Sequence, residues 1–424
     1  NPSRYRYRGV CVGDPGYYIV TAPASYTIVA ANQNQVNVAS ALNTFTNGVG
    51  DYQTVSTDLD YLTDPQYPNA FNQISPALYT TLATVAFNSA IAQYNEMVQR
   101  LGNVRVAGVG FSSMGIDNSP IMDDSKNPKS NGKDVLIPAA DNHWGFFVDG
   151  NGIFANVNIA NQLPGYSAEG GGVTIGSDYK WNKEFSTGLY AGYEGFQSKQ
   201  SGGNFMSDNG SRFGAFGTYQ RGGLFVNGIL GGDSHSYFVK RGIQFQGPSS
   251  IAPALNRTAN SSPTAGELDS MLATGYDVKR GNFTFGPITS LQYTYFGLQP
   301  FTETGAQSLD LSVQNANANS MVYSLGSHCF YNWQASKNVL VVPQINLAWQ
   351  HEFLQNPYAL DSALGNGALF TYMSTTPLRD SLYTGIGFTV NFDKKYDASF
   401  FYNASACNPD LVSQNFFVSL GTRF

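Results

Sequence analysis

Residues 281–298 read GNFTFGPITSLQYTYFGL. Phe283, Phe285, Leu291, Tyr293 and Tyr295 share one face, and Thr284, Gly286, Ser290, Gln292 and Thr294 share the other. Side chains of a strand point alternately to opposite faces, so this stretch meets two different surroundings. The pattern returns in 339–353, where Val339, Val341, Ile345, Leu347, Trp349 and Phe353 alternate with Gln344, Asn346, Gln350 and Glu352. It returns again in 382–392, with Leu382, Ile386, Phe388, Val390 and Phe392 set against Gly385, Gly387 and Asn391.

Working outward, twelve such segments follow residue 142. They cover about 143–155, 169–181, 184–199, 208–221, 223–238, 266–280, 282–298, 319–335, 338–354, 379–393, 395–405 and 412–424. Most exceed ten residues. Strands of soluble sandwiches average about five to six residues, whereas tilted membrane strands need about nine to eleven. Short turns at Asn182-Lys183, Arg221-Gly222, Arg280-Gly281, Ser336-Lys337 and Lys394 alternate with longer connections at about 156–168, 200–207, 239–265, 299–318, 355–378 and 406–411. An even strand number with short periplasmic turns and long extracellular loops describes an outer-membrane barrel. Trp144, Trp181, Tyr219, Tyr237, Trp333 and Tyr383 stand near segment ends, where interfacial girdles are expected. The expected fold is therefore all-β with a helical segment, a twelve-stranded antiparallel transmembrane β-barrel.

Composition agrees. The 424 residues hold 23 basic and 29 acidic side chains, 12% of the chain, beside 14% aromatics and 45 Gly. Soluble domains carry about 25% charged residues. Disordered chains are charged and poor in aromatics, which excludes that class. No apolar run of about 18 residues exists to make a membrane helix. Three Cys in so long a chain exclude a disulfide-stapled miniature domain. A net charge of −6 gives no basic stripe for nucleic acid. Asn1-Pro2-Ser3 does not read as a secretory signal, and the chain is read as a mature fragment or the C-terminal piece of something longer.

The N-terminal third is of another kind. Ser75 and Pro76 make an N-cap and first-turn pair. SPALYTTLATVAFNSAIAQYNEMVQRL then runs from 75 to 101 without another Pro or any Gly, and Gly102 is read as its C-cap. Such a helix spans roughly 40 Å, more than the apolar band of about 25 Å of an outer-membrane barrel. Its surface is largely small or neutral, and Ser75, Pro76, Leu82, Ala86, Ala90 and Gln93 mark it as a helix threading the lumen. The inward strand positions are small too: Gly172, Thr174, Gly176, Gly188, Gly192, Gly385 and Gly387. Gly within a strand marks close approach of another element, here expected to be the helix. Asp178, Glu194, Gln344, Gln350 and Glu352 are expected to face the lumen. Upstream, 34–46 and 53–63 read as two shorter helices and 17–31 as two short strands. Residues 106–142 lack periodicity and read as an irregular linker.

These runs resemble the autotransporter family of type V secretion. The resemblance rests on Asn34–Leu42, Gln73-Ile74-Ser75 and Leu78-Tyr79 before the barrel. Within the barrel it rests on His143–Phe147, Gly171–Tyr179, Gly188–Tyr193, Gly286-Pro287, Glu303–Ala306 and Trp349–Phe353. It implies a twelve-stranded translocator barrel in the bacterial outer membrane that exports or anchors its own N-terminal passenger at the cell surface. Residues 1–31 would be the end of that passenger, 32–105 a helical linker, and 143–424 the barrel. The implied partners are outer-membrane lipid, the barrel assembly machinery and the passenger itself; no cofactor, metal or nucleic acid is implied. A terminal Phe424, with Phe416, Val418 and Leu420 on its face, resembles the assembly signal of outer-membrane proteins, although Thr422 departs from the usual apolar residue. Some members cut their passenger free by cyclisation of an Asn in the lumenal helix. Alignment on Arg100-Leu101-Gly102 and Arg105 places Asn95-Glu96 at that pair, but the subgroup has a second Asn where this chain has Glu96. Asp178, Glu194 and Glu352 would be the nearby carboxylates. The reading taken here is that Asn95 is an ordinary helix residue and the chain is not an enzyme.

Other signatures fail. Gly232-Asp233-Ser234 begins an esterase-like motif but sits in a barrel strand without a placed His. His351-Glu352 lacks the second His of a zinc protease, since position 355 is Gln. His143, His235, His328 and His351 are widely spaced, which argues against a metal cluster. Cys329, Cys407 and Cys11 are expected to be unpaired. The competing readings are a stand-alone porin or channel and a barrel that only anchors a surface adhesin.

Overall fold

The computed structural model describes residues 5–11, 17–107, 143–158, 165–248, 254–354, 356–375, 378–393, 395–408 and 411–423. Twelve strands form the wall. They are β1 (Trp144–Val157), β2 (Tyr166–Lys180), β3 (Phe185–Gln200), β4 (Phe205–Arg221), β5 (Leu224–Gln246) and β6 (Thr264–Tyr276, continued by Val278–Arg280). The second half is β7 (Phe283–Leu298), β8 (Ala316–Tyr331, continued by Trp333–Ser336), β9 (Val339–Glu352), β10 (Asp380–Phe392), β11 (Tyr396–Ala406) and β12 (Leu411–Arg423). Each pairs antiparallel with its neighbour, and β12 closes on β1 from Arg423↔Gly145 to Leu411↔Val157. Closure leaves no edge with unpaired backbone groups, the condition for a sheet in lipid.

The period of two sorts the side chains as expected. Ile386 is 59% exposed on the outer face while Gln344 and Asn391 are buried inside. Tight turns at one rim use Gly222 and Gly281 at φ of +62° and +58°, a conformation that costs a side-chain-bearing residue. Trp144, Trp181 and Trp333 are exposed at this short-turn rim. Tyr237 and Tyr383 are not girdle residues. Tyr237 is buried on the inward parity of β5, and Tyr383 shares the inward parity of Gly385 and lines a lumenal cavity. Cys329 and Cys407 carry free thiols; the side chain of Cys11 lies outside the described residues.

The pre-barrel segment forms α1 (Gln33–Asn43), α2 (Asp51–Asp60), α3 (Tyr67–Ile74) and α4 (Thr80–Ala107). Two of these match the expected pair of short helices; α3 was not expected. Pro68 in the first turn of α3 supplies no backbone donor there and so is tolerated. The strands expected within 17–31 are instead a hairpin of Tyr5–Cys11 and Tyr17–Pro23, followed by a 3-10 turn at Tyr26–Val29. Ser75 caps a 3-10 turn at Pro76–Tyr79 by accepting a hydrogen bond from the Ala77 amide, and α4 follows directly. Gly102 does not end this helix; it lies buried inside it. Of the linker expected at 106–142, residues 106 and 107 are helical, and 108–142 lie outside the described residues.

The long-loop rim is built rather than looped. Beyond the membrane β5 continues to Gln246 and pairs with Ala254–Ser261. Short strands at Phe301–Thr302, Ser312–Val313, Ala359–Ala363 and Leu369–Met373 make a second sheet. The expected loops at 239–265, 299–318 and 355–378 are therefore corrected. The cause is an inversion of the pattern: above the lipid, Val239, Ile243 and Phe245 point inward to protein, while Lys240, Gln244 and Gln246 point outward to water. Helices α1 to α3 pack on this rim, and Val38, Leu42, Phe71 and Ile74 join Ile243, Leu255, Leu311 and Phe370 in one apolar core.

Charge fixes the cap at three points. Arg241 is fully buried and forks onto Glu303, with Nε to Oε1 at 2.9 Å and Nη2 to Oε2 at 2.5 Å. Its Nη1 donates to the carbonyl of Gln73 at 2.7 Å and its Nη2 to that of Leu309 at 2.8 Å. Tyr79 donates to the same Glu303 at 2.6 Å. Arg257 pairs bidentately with Asp51, which also accepts from the backbone and hydroxyl of Ser308. Arg6 reaches Asp60 and donates to the Tyr26 hydroxyl at 2.8 Å, tying the hairpin to α2.

Two expectations follow. Arg241→Ala strands Glu303 without its counter-charge, a change that costs about 3–5 kcal/mol at a buried pair. Limited proteolysis should then cut within residues 33–79 while the barrel stays heat-resistant on a gel; an unchanged cap would contradict the pairing. The second concerns acid. Partial burial pushes the Asp51 carboxyl up, but hydrogen bonds from Arg257 and Ser308 outweigh it and hold the carboxyl below its ordinary range. A depressed pKa stabilises above the unfolded value of about 3.9 and ceases to do so as pH falls through the folded value. Amide exchange in α2, corrected for intrinsic rates, should accelerate on acidification in the wild type. In Asp51→Asn the fast exchange should already be present at pH 6.

Candidate functional site in the barrel lumen

α4 fills the bore. At 1.5 Å per residue its 28 residues extend roughly 42 Å. Leu82, Ala86, Ala90 and Gln93 are buried against the wall, as are Ser75 and Pro76 where the chain approaches the lumen. Near the long-loop rim the contacts are apolar, with Phe87 beside Phe296 at 6.5 Å between ring centroids. Midway, Ala90, Tyr94, Met97 and Leu101 pack with Phe147, Tyr190, Phe216, Ile229 and Met271.

The glycines on the inward faces serve these rings more than the helix. A Cβ at Gly188 would overlap the Phe216 ring, one at Gly176 the Phe147 ring, and one at Gly387 the Phe401 ring. The rings lie across neighbouring strands and leave the bore open for α4. Gly385 alone of the six expected glycines has a helix atom, Nε2 of Gln99, among those nearest its missing Cβ, at 3.1 Å.

Polar contacts bind helix to wall at three levels. Ser89 donates to Glu194 at 2.5 Å, and Arg212 pairs with the same carboxylate. Two turns on, Asn151 donates to Glu96 at 3.2 Å, and Asn415 donates to it as well. Arg100 pairs with Asp149 at 2.7 Å, donates to Ser419, and lies over the Phe147 ring with its Cζ 3.8 Å from the centroid. That stacking suits a planar, weakly hydrated guanidinium.

Asp178, Glu194, Gln344, Gln350 and Glu352 all lie buried on inward positions. Asp178 sits against Gly145. Gln350 donates to Ser324 at 3.1 Å, and Gln344 lies 3.5 Å from Thr389. Glu352 accepts from Ser320 at 2.5 Å and from the amides of Met321 and Leu354. Asn95 lies half-buried in continuous helix and lines a cavity with Tyr383, Asn403 and Glu352. Glu352 is engaged by Ser320 and Met321 of β8 and by Leu354, and Glu194 by Ser89 and Arg212. Glu96 holds the wall rather than its neighbour. Phe416, Val418 and Leu420 face outward, and Phe424 lies outside the described residues.

Sequence reading missed Arg212, Asp149, Arg100 and Arg241, and a wall cluster of Asp208, Asp233, His235, Glu267 and Asp269, all buried. The available signal was parity: Asp233 with His235, and Glu267 with Asp269, are i, i+2 charged pairs on inward positions. Register then sets Asp233 opposite Glu267. His328 pairs with Asp277 at 2.7 Å near the short-turn rim. His351, outside, pairs with Asp380 at 2.9 Å.

A closed twelve-stranded barrel, apolar outside and with its bore occupied by a helix from the preceding segment, defines an outer-membrane barrel of the translocator class. The autotransporter β-domain family model matches residues 146–403, and the chain belongs to that family. The fold is similar to the translocator domain of autotransporter NalP from Neisseria meningitidis, with a TM-score of 0.53 at 12% identity over 80% of this chain and 98% of that one. The β-domain of the Bordetella autotransporter BrkA gives a TM-score of 0.49 at 15% identity over 66% and 100% of the two chains. The transport unit of autotransporter AIDA-I from Escherichia coli gives 0.44 at 12% over 68% and 92%. No curated protein matches the chain in sequence. The short-turn rim is accordingly periplasmic and the long-loop rim extracellular.

Gly188→Val tests the packing of the bore. The side chain must displace the Phe216 ring, and overpacking costs about 1–3 kcal/mol. The unfolding temperature of the detergent-solubilised barrel should fall. Pairing Gly188→Val with Phe216→Ala should recover part of the loss; equal effects in both backgrounds would contradict the contact.

Proposed function

We propose that this barrel exports the chain N-terminal to it and then holds the end of that chain at the cell surface, without acting as an enzyme. The observation that carries this reading is the path of the chain. The segment before the barrel caps the extracellular rim, and α4 continues from it through the lumen towards the periplasmic side. A helix clamped by Arg100–Asp149, Glu96–Asn151 and Ser89–Glu194 plugs the bore, which favours a translocator after export over a stand-alone porin. The aromatic-rimmed, apolar outer wall suits outer-membrane lipid, and Phe416, Val418 and Leu420 on the terminal strand suit recognition by the barrel assembly machinery. Passenger export, surface exposure and both partners belong to this reading.

Self-cleavage is not part of it. The helix is unbroken at Asn95-Glu96, and the chemistry of Asn cyclisation requires a bent backbone with an acid beside it. One blot tests both statements. An epitope placed ahead of Tyr5 should be removed by protease added to intact cells. The precursor should keep one size in the wild type and in Asn95→Ala. An epitope shielded until the outer membrane is broken would overturn export, and a passenger released by the wild type but not by Asn95→Ala would overturn retention.

A further inference from the structure

On the wall of β3 to β6 buried carboxyl groups outnumber buried basic ones. Glu194, Asp208, Asp233, Glu267 and Asp269 surround two basic groups, Arg212 and His235, and all seven are buried. Arg212 is taken by Glu194 and stands 3.5 Å from Asp233. Asp269 accepts from Thr294 at 2.6 Å.

His235 is held as a ligand is held. Its Nδ1 faces Asp208 at 2.8 Å, and Tyr237 stacks on the ring at 5.6 Å with an 18° interplanar angle. A carboxylate on Nδ1 fixes the tautomer and presents the Nε2 lone pair, the arrangement found behind metal-bound imidazoles. That Nε2 and Oε2 of Glu267 face one another at 3.5 Å, and each is buried without a hydrogen-bond partner. Two facing lone pairs repel unless a proton or a metal ion lies between them, and 3.5 Å is longer than the roughly 2.7–3.2 Å of an N–H···O hydrogen bond. Metal–ligand distances of about 2.0–2.2 Å make the edge of a tetrahedral site roughly 3.4 Å, which matches the gap. Ligand atoms of Asp233, His235 and Glu267 lie within 4.8 Å of one another.

We propose that Asp233, His235 through Nε2, and Glu267 bind one divalent transition-metal ion of the Zn2+ class, with Asp208 as the positioning residue on Nδ1. One imidazole and two carboxylates form a borderline donor set that suits this class better than Ca2+ or Mg2+, which take oxygen ligands throughout. The ion joins β5 to β6 behind α4.

The full chain, folded in detergent with Zn2+ and then dialysed, should retain about one equivalent by elemental analysis. His235→Ala and Glu267→Gln should lose it, and Asp208→Asn should weaken Zn2+ affinity about 10–100-fold. A wild type that retains none, or a His235→Ala that binds with wild-type stoichiometry and affinity, overturns the site. Where a variant fails to fold, Co2+ loaded into the wild type decides. An intense ligand-field spectrum of four-coordinate Co2+ supports the site, and the weak spectrum of the six-coordinate aqueous ion overturns it.

Discussion

A strand that crosses a bilayer must present lipid-compatible side chains at every second position and has no such demand at the positions between. In this chain the outer positions are filled largely by Phe, Leu, Ile and Val, and the inner ones by Gly, Ser, Thr, Asn, Gln and charged residues with a few buried rings such as Phe147, Tyr190 and Phe216. The bore created by twelve such strands is polar. Its buried groups need partners, because an unsatisfied polar group out of water costs about 1–3 kcal/mol. α4 supplies many of them and replaces water that would otherwise stand in the lumen.

The helix surface explains how its height in the bore is set. Ala83, Ala86 and Ala90 are small and fit a wall lined with glycines and rings at many heights. Packing of that kind resists sliding only weakly. Ser89, Glu96 and Arg100 are different, for each meets its own pair of wall residues: Glu194 and Arg212, then Asn151 and Asn415, then Asp149 and Ser419. A shift by one turn, about 5.4 Å, would separate all three at once and leave buried charges unpaired. The polar contacts therefore select one register while the apolar ones fill space. In a helix meant to stay put, that division places retention in a few residues.

What the sequence disclosed follows from the same distinction. Alternation in 281–298, 339–353 and 382–392 was visible because lipid on one side is a strong and continuous demand. It fails where the demand changes. Beyond the outer rim, β5 inverts its pattern at Val239, Ile243 and Phe245, so a strand resembled a loop. Tyr237 and Tyr383 stood near segment ends, yet parity turned them inward. The roles of Arg241 and Arg100 rest on partners 62 and 49 residues away, which no local spacing reveals. His235 is remote from every other His, and beyond its near neighbour Asp233 it is strand register that brings Asp208 and Glu267 to it. Gly102 looked like a helix stop because Gly in an exposed helix costs about 1 kcal/mol against Ala, but here it is buried beside a lumenal cavity and the helix runs on to Ala107.

The cap adds a constraint that the barrel alone lacks. Arg241 stands on β5, Glu303 on the connection from β7 to β8, and the carbonyls of Gln73 and Ile74 at the end of α3. These groups meet only when the extensions of the wall and the pre-barrel helices are on the same side of the membrane. α4 begins six residues after Ile74 and passes through the lumen, so it cannot slide back without pulling Gln73 and Ile74 away from Arg241. Cap and plug are thus one mechanical unit. The hydrogen bonds from Arg241 to these carbonyls at the rim resist movement of the helix towards the periplasm, and the pairs inside the bore resist movement either way.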